Sequence, residues 1–456
     1  MKKFYLFILT IVFAFLHNSC SELPTGIVTN QPPNTFLSLF PDSIITPQKT
    51  RIKITWWGDD PDGLVTGYYF SFDSTNWTFT TKNDSTFQLA ISGNDSTFRF
   101  WVAAVDDKGL LDPTPATNKY PVYNSPPGVS FNAGTQIPET TFTVASFAWT
   151  GTDPDGNSTI RTYYWALNDT SHWHLIPASV TLLTLRQDSG LAVNSNNVFY
   201  LKAQDIAGAF SSIAKMPDSN MTWYVRQAVG HLLLINDYST TLIDRSRAAA
   251  FYESSLGSLT HSILDLKIGN GANLPTIKNP MFTETLKLFQ CVVWYAGRGN
   301  QTSDNANFDL AQQTLPYYLA AGGKVFFTTG FPNSIPQYVN YVDFAPIDSA
   351  TSYSVPITDP MVPAIVLDNN YPVLLTDSTV TPDRVRGIYP RQGTDLIYKL
   401  PYNTPYDTNK ITICMKDYYS NPKVVVMCVP LHRMNGSGTA PAFLQRVVNI
   451  DFGISW

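Results

Sequence analysis

An eight-residue pattern, W-x-G-x-D-P-D-G, occurs twice in this chain and restricts the fold more than any other feature. Trp56-Trp57-Gly58-Asp59-Asp60-Pro61-Asp62-Gly63 returns as Trp149-Thr150-Gly151-Thr152-Asp153-Pro154-Asp155-Gly156. Both copies run on into a tyrosine pair, Tyr68-Tyr69 and Tyr163-Tyr164, and then a further tryptophan, Trp77 and Trp173. Each later shows an alternating stretch that ends in Asp, FWVAAVD at 100–106 and FYLKAQD at 199–205. Alternation with a period of two marks strands with one buried face, and turn formers every roughly eight to twelve residues mark a sandwich. Two all-β domains are therefore expected, at 36–126 and 127–228, with Pro126-Pro127 ending strand pairing between them. Within the motif, Asp and Pro open a turn and Gly completes it. Asp60 and Asp62 also offer hard oxygens at alternate positions, but two carboxylates fall short of the roughly six to eight ligands of calcium, so a turn is the expected role.

At these residues segments 51–109 and 144–208 resemble fibronectin type III domains. They carry a strand-B Trp, a Tyr in strand C, a Trp in strand C′ and a strand F that ends close to a Gly. The resemblance implies an all-β sandwich in each copy. It departs at the strand-F tyrosine, whose position falls on Phe98 and Asn197, neither of which carries the hydroxyl of that corner. A looser immunoglobulin-like sandwich is the alternative.

After Val225 the pattern changes. HLLLI at 231–235, CVVWYA at 291–296 and VFFTT at 325–329 are continuous apolar runs, the mark of strands buried on both faces. Helical stretches are expected over 244–256, near 282–288 and over 308–321, the last closed by Gly322-Gly323. Strands alternating with helices predict a parallel, doubly wound α/β sheet over 229–456. A strand pair at 411–415 and 424–429 and a helix at 440–448 complete it. If the turn of that pair centres on Asn421, Cys414 and Cys428 face each other and can bridge; a turn one residue off forbids it. The segments LLLIND, LFQCVVWYAG, LPYYLAAGGKVFFTTG and VVVMCVPLH, in that order, resemble the flavodoxin-like class I glutamine amidotransferase fold.

That resemblance implies a nucleophile on the turn after the third buried strand. Here the position falls on Gly330, with only the alcohol of Thr329 beside it, and the expected His position falls near Pro430, two residues before His432. A non-catalytic domain follows as the expectation, with no cofactor and no metal. Sheets of this kind bind ligands beyond the carboxyl ends of their strands, where Asn236, Asp237, Gly297, Arg298, Gly330 and His432 would border a crevice. Cys291 opens a buried strand, where a thiol is unreactive. His172 and His174 flank Trp173 and could share a face of a strand, too few ligands for zinc by themselves.

The first nineteen residues read as a processing signal. Lys2 and Lys3 precede an apolar stretch at 4–16, too short for a core of roughly 30 Å, and His-Asn-Ser leads to Cys20. A lipidated Cys20 would anchor the chain, through a tether at 20–35, to a membrane, with the outer membrane favoured because Ser21-Glu22 lacks an Asp. Without Lys2 and Lys3, 28 of the 30 basic residues remain against 35 acidic ones, which argues against a nucleic-acid partner. The expected partners are the membrane and an envelope protein, peptide or glycan. The alternatives are a hydrolase using an atypical site in the crevice, or a glycan-binding surface, since aromatics make up 13% of the chain.

Overall fold

The computed structural model describes residues 29–38, 48–49, 51–89, 95–238, 244–267, 277–297, 306–331, 341–359, 361–378, 384–404, 407–417 and 422–455. The signal segment, Cys20 and Arg298 lie outside them. The chain divides into two compact units: Met1–Pro126 with Asp153–Thr159 and Asp205–Ala209, and Pro127–Thr152 with Ile160–Gln204 and Phe210–Trp456.

The first unit holds a β-sandwich. One sheet orders Asn34–Leu37, Arg51–Asp59 and Asp84–Gln88; the other orders Gln48–Lys49, Ala116–Tyr123, Asp95–Asp106, Val65–Ser71 and Thr78–Thr80. The alternation in Arg51–Asp59 does what its period requires: Ile52, Ile54 and Trp56 are buried, while Lys53 and Trp57 face water. Trp56 is fully buried against Tyr68, Phe70 and Phe100, with ring centroids 5.6–6.3 Å apart. Burying such a ring stabilises by about 1.5–3 kcal/mol, so the repeated tryptophan is a core anchor. Gly58 is needed beside it, because a Cβ there would stand 2.9 Å from that of Ala104. The tether expected at 20–35 stops earlier than its composition suggested. Asn34–Leu37 pairs antiparallel with Arg51–Asp59, and the N–H of Gln31 bonds the Asp62 carboxylate.

The second unit contains the other sandwich. Leu182–Leu185, Ala145–Thr152 and Gly128–Phe131 form one sheet; His174–Pro177, Ile160–Leu167, Phe199–Asp205 and Ala214–Met216 form the other. Trp149 takes the place of Trp56, and Phe147 stacks on Phe199 at 4.0 Å. Asn197, at the position where the resemblance implies a tyrosine, ties the neighbouring loop. The buried Asn197 side chain accepts from the Ala192 N–H at 2.9 Å and donates to the carbonyls of Ala192 and Ser195 at 2.8 and 3.1 Å. An amide offers both a donor and an acceptor, so it ties the loop that a hydroxyl would have tied.

The remaining residues build an eight-stranded sheet. Five strands run parallel in the order His261–Asp265, Leu232–Asn236, Cys291–Tyr295, Lys324–Thr328, Val424–Met427. Leu232–Asn236 and Cys291–Tyr295 are buried at every residue, as their unbroken apolar runs demand. The helices Asp244–Leu256, Phe308–Ala320 and Ala440–Arg446 lie at or within a few residues of their expected places. The sheet is not purely parallel, however. Asp407–Lys416, Asp395–Thr404 and Ile365–Val366 extend it antiparallel, because the 407–427 segment returns as a hairpin rather than through a helix. In that hairpin Cys414 lies opposite Met427, so the turn is one residue off the register a bridge requires. Cys428 therefore points to the other face of the sheet, and both cysteines are free thiols.

Sandwich and sheet exchange core residues within this unit. Phe142, from the sandwich, packs edge-on against Phe289 at 5.3 Å in the core of the sheet. Met281, from the helical segment Lys278–Phe282, is buried in the core of the sandwich. The Arg226 guanidinium lies 4.1 Å over the Phe142 ring and donates to the Ile263 carbonyl.

Candidate functional site

The carboxyl ends of the parallel strands bring several expected residues together. Asn236 and Asp237 follow the first strand of this sheet in the chain, Gly297 the third and Gly330 the fourth, where the N–H of Gly330 donates to the Gly297 carbonyl at 3.1 Å. His432 stands in the short turn of helix Leu431–Met434 after the fifth. Asn236, Asp237 and His432 are nearly or wholly buried.

Asp237 is consumed by structure. It accepts from Trp294 Nε1 at 3.0 Å and from the Asn307 N–H and side-chain amide at 2.6 and 2.5 Å, and it pairs with Lys267 at 3.2 Å. Burial pushes its carboxyl pKa up, against the opposing pull of the Lys267 charge and the Asn307 N–H. The carboxylate thus fastens the start of helix Phe308–Ala320 to the strand ends, which a charge at zero exposure can do only when fully paired. Asn236 Oδ1 accepts from the N–H of Tyr238.

His432 has company that no sequence spacing announces. Its Nε2 lies 3.1 Å from Asp244 Oδ2, at the start of helix Asp244–Leu256, and 3.4 Å from the Tyr238 hydroxyl. Arg433 donates to the same Asp244 oxygen. Tyr252 stacks on Tyr295 at 4.0 Å and meets the imidazole edge-on. Burial alone would raise the Asp244 pKa, but the bonds and charges of His432 and Arg433 outweigh it and hold the carboxyl well below its usual range. At His432 burial wins over the attraction of Asp244, and the imidazole pKa is lowered. Arg433 thus favours the Asp244 carboxylate, while burial works against a proton on His432.

An Asp–His pair orients a base, yet the partner a base needs is elsewhere. Thr329 is fully buried and its hydroxyl points at the carbonyls of Gly297 and Gly330, at 3.3 Å each. Thr328 Oγ1 donates to the Val429 carbonyl and accepts from the Leu431 N–H, at 3.1 Å each. Cys291 sits at the opposite, amino end of its strand, and burial raises the pKa of all three described thiols. His172 bonds Ser171 and His174 stacks on Trp165 at 4.3 Å. Among the described residues no group of three or more His, Cys, Asp or Glu side chains is placed to hold a metal ion, and no helix is long and apolar enough to cross a membrane.

No family model matches this chain, and no curated protein matches it. Solved structures similar to it include fibronectin type III-like and PKD domains. The fibronectin(III)-like modules of CbhA from Clostridium thermocellum are 15% identical over 42% of this chain and 95% of theirs, with a TM-score of 0.18. A two-domain fibronectin type III segment of chicken tenascin is 16% identical over 41% of this chain and 97% of its own, with a TM-score of 0.21. The PKD1 domain of the Vibrio cholerae metalloprotease PrtV is 17% identical over 20% of this chain and 98% of its own, with a TM-score of 0.15. The sandwich architecture of this chain rests on its own paired sheets.

Proposed function

We propose that this chain is a lipid-anchored cell-envelope protein in which two fibronectin type III-like sandwiches act as spacers for a non-catalytic α/β domain that binds or scaffolds an envelope partner. The signal-like segment before Cys20 supports the anchor. The strand order, with the second strand outermost and then the first, third, fourth and fifth, supports a flavodoxin-like sheet of the class I glutamine amidotransferase kind. One observation carries the non-catalytic part. Among the described residues the Asp244–His432 pair bonds to Tyr238 and Arg433, and the alcohols at the end of the fourth strand, Thr328 and Thr329, donate to backbone carbonyls.

Detergent-phase partitioning of the full chain made in a bacterial host tests the anchor. The wild type should enter the detergent phase and Cys20→Ser the aqueous one; a wild type that stays aqueous refutes the anchor. For the domain, a fluorophosphonate or chloromethyl ketone that labels the wild type but not His432→Gln would establish a hydrolase instead. A second reading has its own observation. Phe36 and Trp57 stack at 5.6 Å on the surface, each more than two-fifths exposed, beside a groove of about 500 Å³ lined by Thr35, Ser38, Thr114 and Thr117. Aromatic faces rimmed by hydroxyls suit a neutral glycan, and retention on a glycan surface that Trp57→Ala abolishes would favour it.

A further inference from the structure

The second sandwich turns an aromatic face outward. In Phe199–Asp205 the alternation buries Phe199, Leu201 and Ala203 and leaves Tyr200, Lys202 and Gln204 half-buried on the opposite side. The Lys202 ammonium lies 4.1 Å from the centroid of the Trp173 ring, 4.5 Å from that of Phe210 and 5.7 Å from that of Tyr164. Tyr164 and Phe210 are themselves 5.6 Å apart, and Phe210 is 44% exposed. The strand register sets Leu175, 64% exposed, opposite Tyr164 and the exposed Lys215 opposite Tyr200, so both share this face.

Nothing in the sandwich demands a cation there. In the matching stretch of the first repeat, FWVAAVD against FYLKAQD, Ala103 stands at the position of Lys202. Ordering a lysine costs rotamer entropy, and the negative faces of the three rings offset part of that cost. The rings carry no net charge, so they orient the ammonium without neutralising it. Among the described residues the Lys202 ammonium makes no hydrogen bond and no ion pair. Of the residues in the four strands of that sheet only Asp205 is acidic, and it is buried on the inner side. The face therefore gathers two lysines and several rings without a carboxylate, in a chain with 35 acidic residues against 30 basic ones.

We propose that this face of the second sandwich binds an acidic polysaccharide, with sugar rings stacking on the exposed parts of Trp173 and Phe210 and a carboxylate meeting the Lys202 ammonium. A hexuronate fits both halves of the site. Its pyranose ring turns weakly positive C–H groups toward the negative face of an aromatic ring, and its carboxylate supplies the charge that Lys202 lacks. Lys215, on the neighbouring strand, serves a carboxylate farther along the same polymer. A neutral sugar would leave the ammonium unmatched, and a nucleic acid needs more clustered cations than two lysines supply. Such a face gives the second sandwich a task beyond spacing, and it does not depend on the anchor at Cys20.

Affinity electrophoresis of the full chain tests this, with polygalacturonate cast into the native gel as the probe. The wild type should be retarded, and much less so by the fully methyl-esterified polymer, which keeps the rings and loses the charge. Polyacrylate, which has the carboxylates without the rings, should retard it as weakly. Lys202→Ala and Trp173→Ala should each weaken the apparent affinity by about tenfold, as losing a charged hydrogen bond or a ring contact does, while Lys202→Arg keeps most of it. Ala103 in the first repeat shows that the strand accepts alanine there, so Lys202→Ala remains a test even if Trp173→Ala fails to fold. No retardation of the wild type, or retardation of Lys202→Ala equal to it, overturns the site. Equal retardation by the esterified polymer overturns the need for charge, and equal retardation by polyacrylate overturns the sugar.

Discussion

His432 and Asp244 are 188 residues apart in the chain, and their contact bears on how the eight-stranded sheet responds to acid. Burial lowers the His432 pKa below its ordinary 6.5, so the unfolded chain binds a proton there that the folded one refuses. The contribution is fully present above about pH 6.5 and is lost as pH falls through the lowered value. Asp244, whose pKa is also depressed, adds stability above about pH 4 that disappears as its carboxylate is protonated. Urea midpoints of the wild type should therefore fall from pH 7 to pH 5, and in His432→Gln that slope should flatten. Asp244→Asn removes the carboxylate to which the buried Arg433 and His432 bond and should cost about 3 kcal/mol at neutral pH, read from the same urea curves. The carboxyl-end position of Asn236, Asp237, Gly297 and His432 was legible because each follows a recognisable strand. Their engagement was not, since the partners of Asp237 and His432, Trp294, Lys267, Asn307, Tyr238 and Asp244, come from separate strands, loops and helix starts that no single period links.

Among elements, legibility followed hydrophobic period. Leu232–Asn236 and Cys291–Tyr295 declare themselves by unbroken apolar runs, and Phe199–Asp205 by strict alternation, since burial on two faces or one leaves no other pattern. The antiparallel extension through Asp395–Thr404 escaped notice because its two strands are irregular, with several register shifts between them. The Cys414 register turned on a single residue in the hairpin, a precision that composition cannot supply. Asn197 departs from the tyrosine that the sequence resemblance implies and still fastens its loop. Asn197→Leu, of similar size without the amide, should strand the backbone groups of Ala192 and Ser195 and cost about 2–3 kcal/mol. Asn197→Asp keeps the bonds accepted from the Ala192 N–H and from Asn168 Nδ2, loses the two donated ones, and should fall between the two by thermal melting.

At the scale of the whole molecule, the exchange of Phe142 and Met281 binds the second sandwich to the α/β sheet. Truncating either should cost about 2–5 kcal/mol, as large-to-small core changes do. The transition of the second sandwich should coincide with that of the sheet in calorimetry, and Met281→Ala should lower both together. Separate peaks would show that the seam is incidental. Phe142 and Met281, which carry this graft, lie outside the W-x-G-x-D-P-D-G repeat, so nothing in the repeated residues announces it. A pull applied at the far end of the sheet would find no slack near residue 228. To bend there, the chain must first extract a methionine from one oily interior and a phenylalanine from another, so the joint transmits load as a weld does.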